Sequence, residues 1–209
     1  MNPTVIVESF VVLIVSLSFH EAAHAWMANR LGDPTARLRG RLTLNPLAHI
    51  DWIGTVLFPL IAMTTGAPLL GWAKPVPVDA RHFRSPREGF ALVALAGPVS
   101  NLILASGAAL VFAVMPGRLL VQHDALGAFG QTLAMMVYVN VLLALFNLIP
   151  IPPLDGGNVL IGVAPLPVAQ AVGRLRPYGF LVLYALILTG VLNRLLFPVE
   201  NLLISWLLR

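Results

Sequence analysis

The sequence predicts an all-α, polytopic membrane protein with about four to six hydrophobic membrane segments. Three observations predict it. Hydrophobic residues make up 58% of the 209 and charged residues only 11%, where a soluble domain carries roughly a quarter, and the mean hydropathy is +0.85. The apolar residues fall into several uncharged stretches long enough to cross a bilayer. The basic residues sit in the connectors beside those stretches and form no patch interleaved with aromatics. That pattern fits cytoplasmic flanks of membrane spans and predicts a lipid bilayer, not nucleic acid, as partner. There is no cysteine, which excludes disulfides and thiolate metal ligands.

The first helix is expected from about Pro3 to Leu31, opened by Pro3 and stopped by Gly32-Asp33-Pro34. Its apolar run holds His20-Glu21-Ala22-Ala23-His24, so it is expected to be kept rather than cleaved as a signal. Helical residues four apart share a face, so His20 and His24 reach one metal ion, with Glu21 beside them to activate water. Only Glu8 is otherwise ionisable between Pro3 and Trp26. A central charge on a spanning helix costs about 2.5–3.5 kcal/mol to insert; metal coordination offsets such a cost and packing does not.

Residues 35–48 alternate, with Leu38, Leu42 and Leu44 separated by Arg37, Arg39, Arg41 and Thr43. Gly40 allows a turn and Asn45-Pro46 ends the pattern, which predicts a short β-like hairpin at the membrane surface, with an edge suited to an extended peptide. The run 53–71 is uncharged but broken by Gly54, Pro59, Gly66 and Pro68, and is expected to re-enter rather than cross. A stiff connector, Trp72 to Val78, leads to a span from Phe90 to Met115. There Gly97, Ser100, Ala105, Gly107 and Ala108 suit close helix contact. A further span, Ala125 to Ile149, carries Asn140 and Asn147. It runs into prolines 150, 152 and 153, which predict a broken extended segment at Asp155, with helix resuming near Asn158. Pro165–Arg176 reads as an interfacial amphipathic connector and Tyr178 to about Leu192 as the last clear span. The chain thus divides into a core, 1–163, and a C-terminal part, 164–209.

A catalytic zinc site takes three protein ligands and leaves one position open. His20, His24 and Asp155 supply two imidazoles and a carboxylate, with His49 and Asp51 as rival ligands; His82 and His123 read as surface residues. Zinc at such a site activates water, and Glu21 is placed to take its proton as a peptide carbonyl is attacked. Asn101 and Asn140 suit either an oxyanion donor or an interhelical hydrogen bond, the second being favoured for Asn140. With 53–71 re-entrant, His24 and Asp155 fall on one side of the membrane. Regions 30–88 and 149–177 then gather ten of the thirteen basic residues, which puts the site toward the cytoplasmic face of a cell membrane. A transporter built on the same residues would show paired repeats or polar residues tracking along the spans, and a silent scaffold leaves Glu21 without a task.

HEAAH at 20–24, Gly97-Pro98-x-x-Asn101 and Asn147-x-x-Pro150-x-Pro152-x-Leu154-Asp155-Gly156-Gly157, in that order, resemble the site-2 protease family of intramembrane zinc metalloproteases. The resemblance implies one zinc ion on His20, His24 and Asp155, Glu21 as catalytic base, and Asn101 near the active site. It also implies transmembrane or membrane-associated protein substrates. Arg41-Leu42-Thr43-Leu44-Asn45-Pro46 and Gly71-Trp72-Ala73-Lys74-Pro75 look like the compact branch, and no PDZ or CBS-type region is present.

Overall fold

The computed structural model describes residues 3–65, 71–115 and 125–209. Helix α1, Pro3–Arg30, is followed by the single turn α2, Thr35–Leu38, then π-helical turns over Trp52–Leu57 that pass into α3, Phe58–Thr65. Two long helices come next, α4 (Pro86–Ala113) and α5 (Ala125–Asn147). The chain closes with α6 (Asp155–Val163), α7 (Leu166–Arg174), α8 (Gly179–Leu188) and α9 (Val191–Leu207). Four stretches are long and apolar enough to cross a membrane: Thr4–Arg30, Pro86–Ala113, Gly127–Asn147 and Leu166–Leu188. The protein is an all-α, multi-pass membrane protein.

The expected hairpin after α1 is not there: among the described residues there is no strand, and 35–38 are helical. Local carbonyl chemistry decides this. Helix α1 ends with Gly32 at φ +103, where the amides of Gly32 and Asp33 donate to the carbonyls of Asn29 and Ala28 at 3.2 and 2.9 Å. This is the closure that only a left-handed residue completes. The same closure recurs eight residues on. Gly40, at φ +67, and Arg41 donate to the carbonyls of Arg37 and Ala36 at 3.0 and 2.8 Å. Gly40 therefore seals a helical turn where the alternating leucines suggest a strand.

Asp33, read above only as part of a stop signal, is fully buried. It accepts from the amide of Thr35 (2.9 Å), the hydroxyl of Thr35 and the amide of Asp79 (2.7 Å), joining the exit of α1 to the connector before α4. Burial works to raise its pKa. The Thr35 hydroxyl, the two amides and nearby His82 outweigh burial and hold it below the ordinary carboxylate value. A carboxylate so depressed stabilises the fold above its unfolded pKa, about 4, and loses that contribution as pH falls through its folded value. Asp33→Ala strands its donors and is expected to cost about 2–3 kcal/mol. Thermal unfolding should show the deficit at pH 7 and a narrower gap from wild type below pH 4.

The segment beginning at Trp52 turns back on itself. Asp51 caps it by accepting from the amides of Ile53 and Gly54 at 3.1 and 2.8 Å. On the return, the Trp72 amide donates to the Gly54 carbonyl (3.2 Å), the Thr55 hydroxyl to the Trp72 carbonyl (2.8 Å) and the Lys74 amide to the His49 carbonyl (2.9 Å). The two described ends of this stretch are thus bonded to each other. The Trp72 indole lies 2.5 Å from where a Cβ on Gly54 would stand, so that close approach requires glycine.

The core lies between α4 and α5, where Ala105, Ala108 and Ala109 meet Leu133, Val137 and Val141, with Leu203 and Ile204 of α9 packed against them. Small side chains let the two backbones approach, as dispersion-driven packing in a membrane requires. Gly107, expected in that contact, faces open space. The last span differs from expectation as well: Gly190, at φ +70, divides it into α8 and α9, and α9 runs on through Arg194 and Pro198.

Candidate metal centre

His20 and His24 stack one turn apart on α1, edge to face, with ring centroids 4.6 Å apart. Each ring is held from behind by an acceptor on α4. Nδ1–H of His20 donates to the side-chain carbonyl of Asn101 at 2.6 Å, and Nδ1–H of His24 to the main-chain carbonyl of Val93 at 2.7 Å. With Nδ1 protonated in both rings, each Nε2 presents a bare lone pair, which is how an outer hydrogen bond sets a ligand's tautomer.

Both lone pairs face Asp155. Its Oδ2 stands 3.1 Å from Nε2 of His20 and 3.4 Å from Nε2 of His24, is buried, and has no hydrogen-bond donor. Ligand atoms of the three residues all lie within 4.8 Å of one another. Three electron-pair donors turned toward each other in a water-poor interior call for a shared cation. Two imidazoles and a carboxylate are a donor set that zinc takes, with a fourth position left over.

Asp155 is not on an extended segment. The chain turns tightly through 148–154, with the Ile151 amide on the Ile149 carbonyl (2.7 Å) and the Leu154 amide on the Ile151 carbonyl (3.0 Å), and Asp155 opens α6. The helix resumes three residues earlier than expected because Gly156 and Gly157 let it fold against that turn. A Cβ on them would lie 2.2 Å from the Leu148 carbonyl oxygen and 2.3 Å from the Pro152 nitrogen. At its far end α6 rests on α4, with Gly162 against Ala91, while the Arg87 guanidinium donates to the carbonyls of Ile161 (2.9 Å) and Ala164 (2.6 Å). Thus α4 holds both imidazoles and the helix that brings the acid.

Asn101 is fully buried and all its polar atoms are engaged. Its amide nitrogen donates to Oδ1 of Asn140 (2.8 Å) and to the Ser16 carbonyl (3.3 Å), and Asn140 donates in turn to the Ser16 hydroxyl (2.8 Å). This closed network ties α1, α4 and α5 together behind His20. Ser16 went unnoticed in the sequence, although it stands one turn before His20 on the same face. Asn147 donates only to the Leu143 carbonyl of its own helix, 2.9 Å away.

Glu21 is buried beside His20, with 9% exposure. The rival ligands are elsewhere. His49 donates from Nε2 to the Thr43 carbonyl (2.8 Å), Asp51 caps the turns that open at Trp52, and among the described residues the only metal-capable group is His20, His24 and Asp155. His82 lies with Asp33 and Asp79, and His123 falls outside the described residues. Gly97, expected in helix contact, makes room for the ligands instead: a Cβ there would stand 2.5 Å from Nε2 of His24 and 2.6 Å from Cε1 of His20.

The profile of Peptidase family M50 matches residues 119–189, the part that carries Asp155. The chain is also 39% identical over 195 residues to "Putative zinc metalloprotease YwhC" of Bacillus subtilis, covering 91% of this chain and 84% of that one. The chain belongs to peptidase family M50. Two further relatives match over somewhat less of this chain. "Putative zinc metalloprotease Rip2" of Mycolicibacterium smegmatis is 31% identical over 88% of this chain and 68% of its own. "Putative zinc metalloprotease MJ0611" of Methanocaldococcus jannaschii is 30% identical over 73% and 72%. No solved structure matches this M50 chain. The M50 assignment makes it a metallopeptidase of the site-2 protease family, consistent with four apolar helices and a three-residue metal group.

Proposed function

We propose that this protein is an intramembrane zinc endopeptidase that hydrolyses peptide bonds in transmembrane or membrane-associated proteins. The observation that carries the reading is the convergence of Asp155, at the start of α6, on His20 and His24, which stand with Glu21 on a helix long and apolar enough to cross a membrane. His20, His24 and Asp155 would hold the zinc, which would supply Lewis acidity to a peptide carbonyl and to water.

The protein's own groups do the rest. Glu21 accepts the proton that the attacking water gives up and delivers it to the departing amine. Asn101 is a positioning residue: its carbonyl holds the His20 tautomer, and its amide hydrogens are spent on Asn140 and Ser16, which leaves none for an oxyanion. Arg87 positions Asp155 through α6. The gathering of basic residues at the exit of α1 and around α6 and α7 supports a site opening toward the cytoplasmic face of a cell membrane.

Fluorophore-labelled β-casein, an extended protein soluble in detergent micelles, tests the activity without requiring a helix to unwind. The purified protein should cleave it, lose activity on dialysis against a chelator, and regain it with one equivalent of zinc. Full activity in metal-free protein would sink the reading.

A further inference from the structure

Arg41 is the basic residue whose placement the site described so far does not use. Most arginines of this chain are exposed; Arg41 is 6% exposed. Its Nη2 donates to the main-chain carbonyls of Lys74 and Pro75, clipping the returning connector to the segment after α2. Its Nε is buried and has no partner. A buried donor of a charged group left unpaired is costly, so the vacant N–H marks a place for an acceptor.

The location says which acceptor. A groove of about 440 Å³ runs between α1 and α4, lined among others by Ala22, Ala23, Leu42, Leu44, Val99 and Ser100. Leu42 follows Arg41 and Ala22 follows Glu21, so each of the two charged residues is the chain neighbour of one that lines this groove. Their mutual influence agrees: burial lowers the Arg41 pKa, and the negative charge of Glu21 opposes that effect. The groove is almost wholly apolar, and a peptide laid in it brings main-chain carbonyls that need a donor.

We propose that Arg41 is a substrate-binding residue whose unpaired Nε–H donates to a main-chain carbonyl of the peptide lying in the α1–α4 groove beside Glu21. The inference rests on the peptidase reading above and assigns to that site a contact that recognises backbone, not side chain. It predicts a donor used equally in the bound substrate and in the transition state, and hence a loss in KM rather than kcat.

Arg41→Lys is the deciding variant, because it keeps the charge and a long donor arm for the Lys74 and Pro75 carbonyls but has no Nε–H. With labelled β-casein, KM should rise about tenfold or more while kcat stays within about threefold and zinc content and melting temperature match wild type. In a Glu21→Gln background, which binds without turning over, adding Arg41→Lys should weaken casein binding by a similar factor. Unchanged KM and unchanged binding would overturn the proposal. A loss confined to kcat, zinc content and melting temperature would also overturn it, leaving Arg41 only a clip on the connector. If the wild-type protein does not hydrolyse casein at all, the peptidase reading falls and this inference with it. If wild type cleaves and the double variant still binds as tightly, only the role of Arg41 is lost.

Discussion

Glu21→Gln is expected to retain zinc and fold while cleaving labelled casein about 10³-fold more slowly, the middle of the range for removing a general acid–base group. The separation of effects is the informative part. Glu21 is not in the metal group, which is His20, His24 and Asp155, and both imidazoles are steadied by Asn101 and Val93 without help from Glu21. Gln matches Glu in size and so keeps the buried packing beside His20. It cannot take a proton at neutral pH. Zinc content by elemental analysis, melting temperature and kcat, measured on one preparation, check the claim. A variant that cleaved casein at the wild-type rate would remove Glu21 from the mechanism, whereas one that lost its zinc would make it a structural residue.

Gly97→Ala should do the reverse, emptying the site without replacing any residue that binds or reacts. Its added methyl would stand 2.5 Å from Nε2 of His24 and 2.6 Å from Cε1 of His20, well inside carbon–nitrogen contact. Neither ring has an easy escape. Each is fastened at Nδ1 by a short hydrogen bond to the helix that carries the methyl, so displacement breaks the bond that sets the tautomer. Loss of such an outer bond alone costs a zinc site about 10–100-fold in affinity, and misplacing two ligands together costs more. Zinc content is expected to fall to about a tenth of wild type or below, with activity following it. Gly107→Ala, ten residues along on the same helix and facing open space, is the matched control and should bind zinc normally. Equal zinc in both variants would mean that the rings have room to move.

The metal group was legible because ionisable side chains are scarce here. Two histidines four apart in an apolar run, and one aspartate isolated behind three prolines, stand out against so much hydrocarbon. Their meeting across two long helices followed from counting crossings, with residues 53–71 expected to re-enter. The local backbone was less legible. Alternating leucines and arginines at 37–44 mimic a strand, but a strand needs a partner, while Gly32 and Gly40 satisfied nearby carbonyls within the chain itself. Residue type alone also does not say which end of Asn101 meets His20, or whether Gly97 faces a helix or an imidazole; both depend on the rotation of α4. Arg41 looked like one more flank charge, since burial of an arginine depends on carbonyls contributed by residues 74 and 75, far along the chain.

The arrangement of α4, which seats the imidazoles on one stretch and the helix of Asp155 on another, has a consequence for biosynthesis. Ribosomes deliver chains N-terminus first, so a growing polypeptide exposes its histidine pair and the helix that orients it long before residue 155 has been made. Through most of its synthesis the nascent protein carries two of the three residues that converge as its possible metal group. Asp155 completes that group only after α1, α4 and α5 have been made.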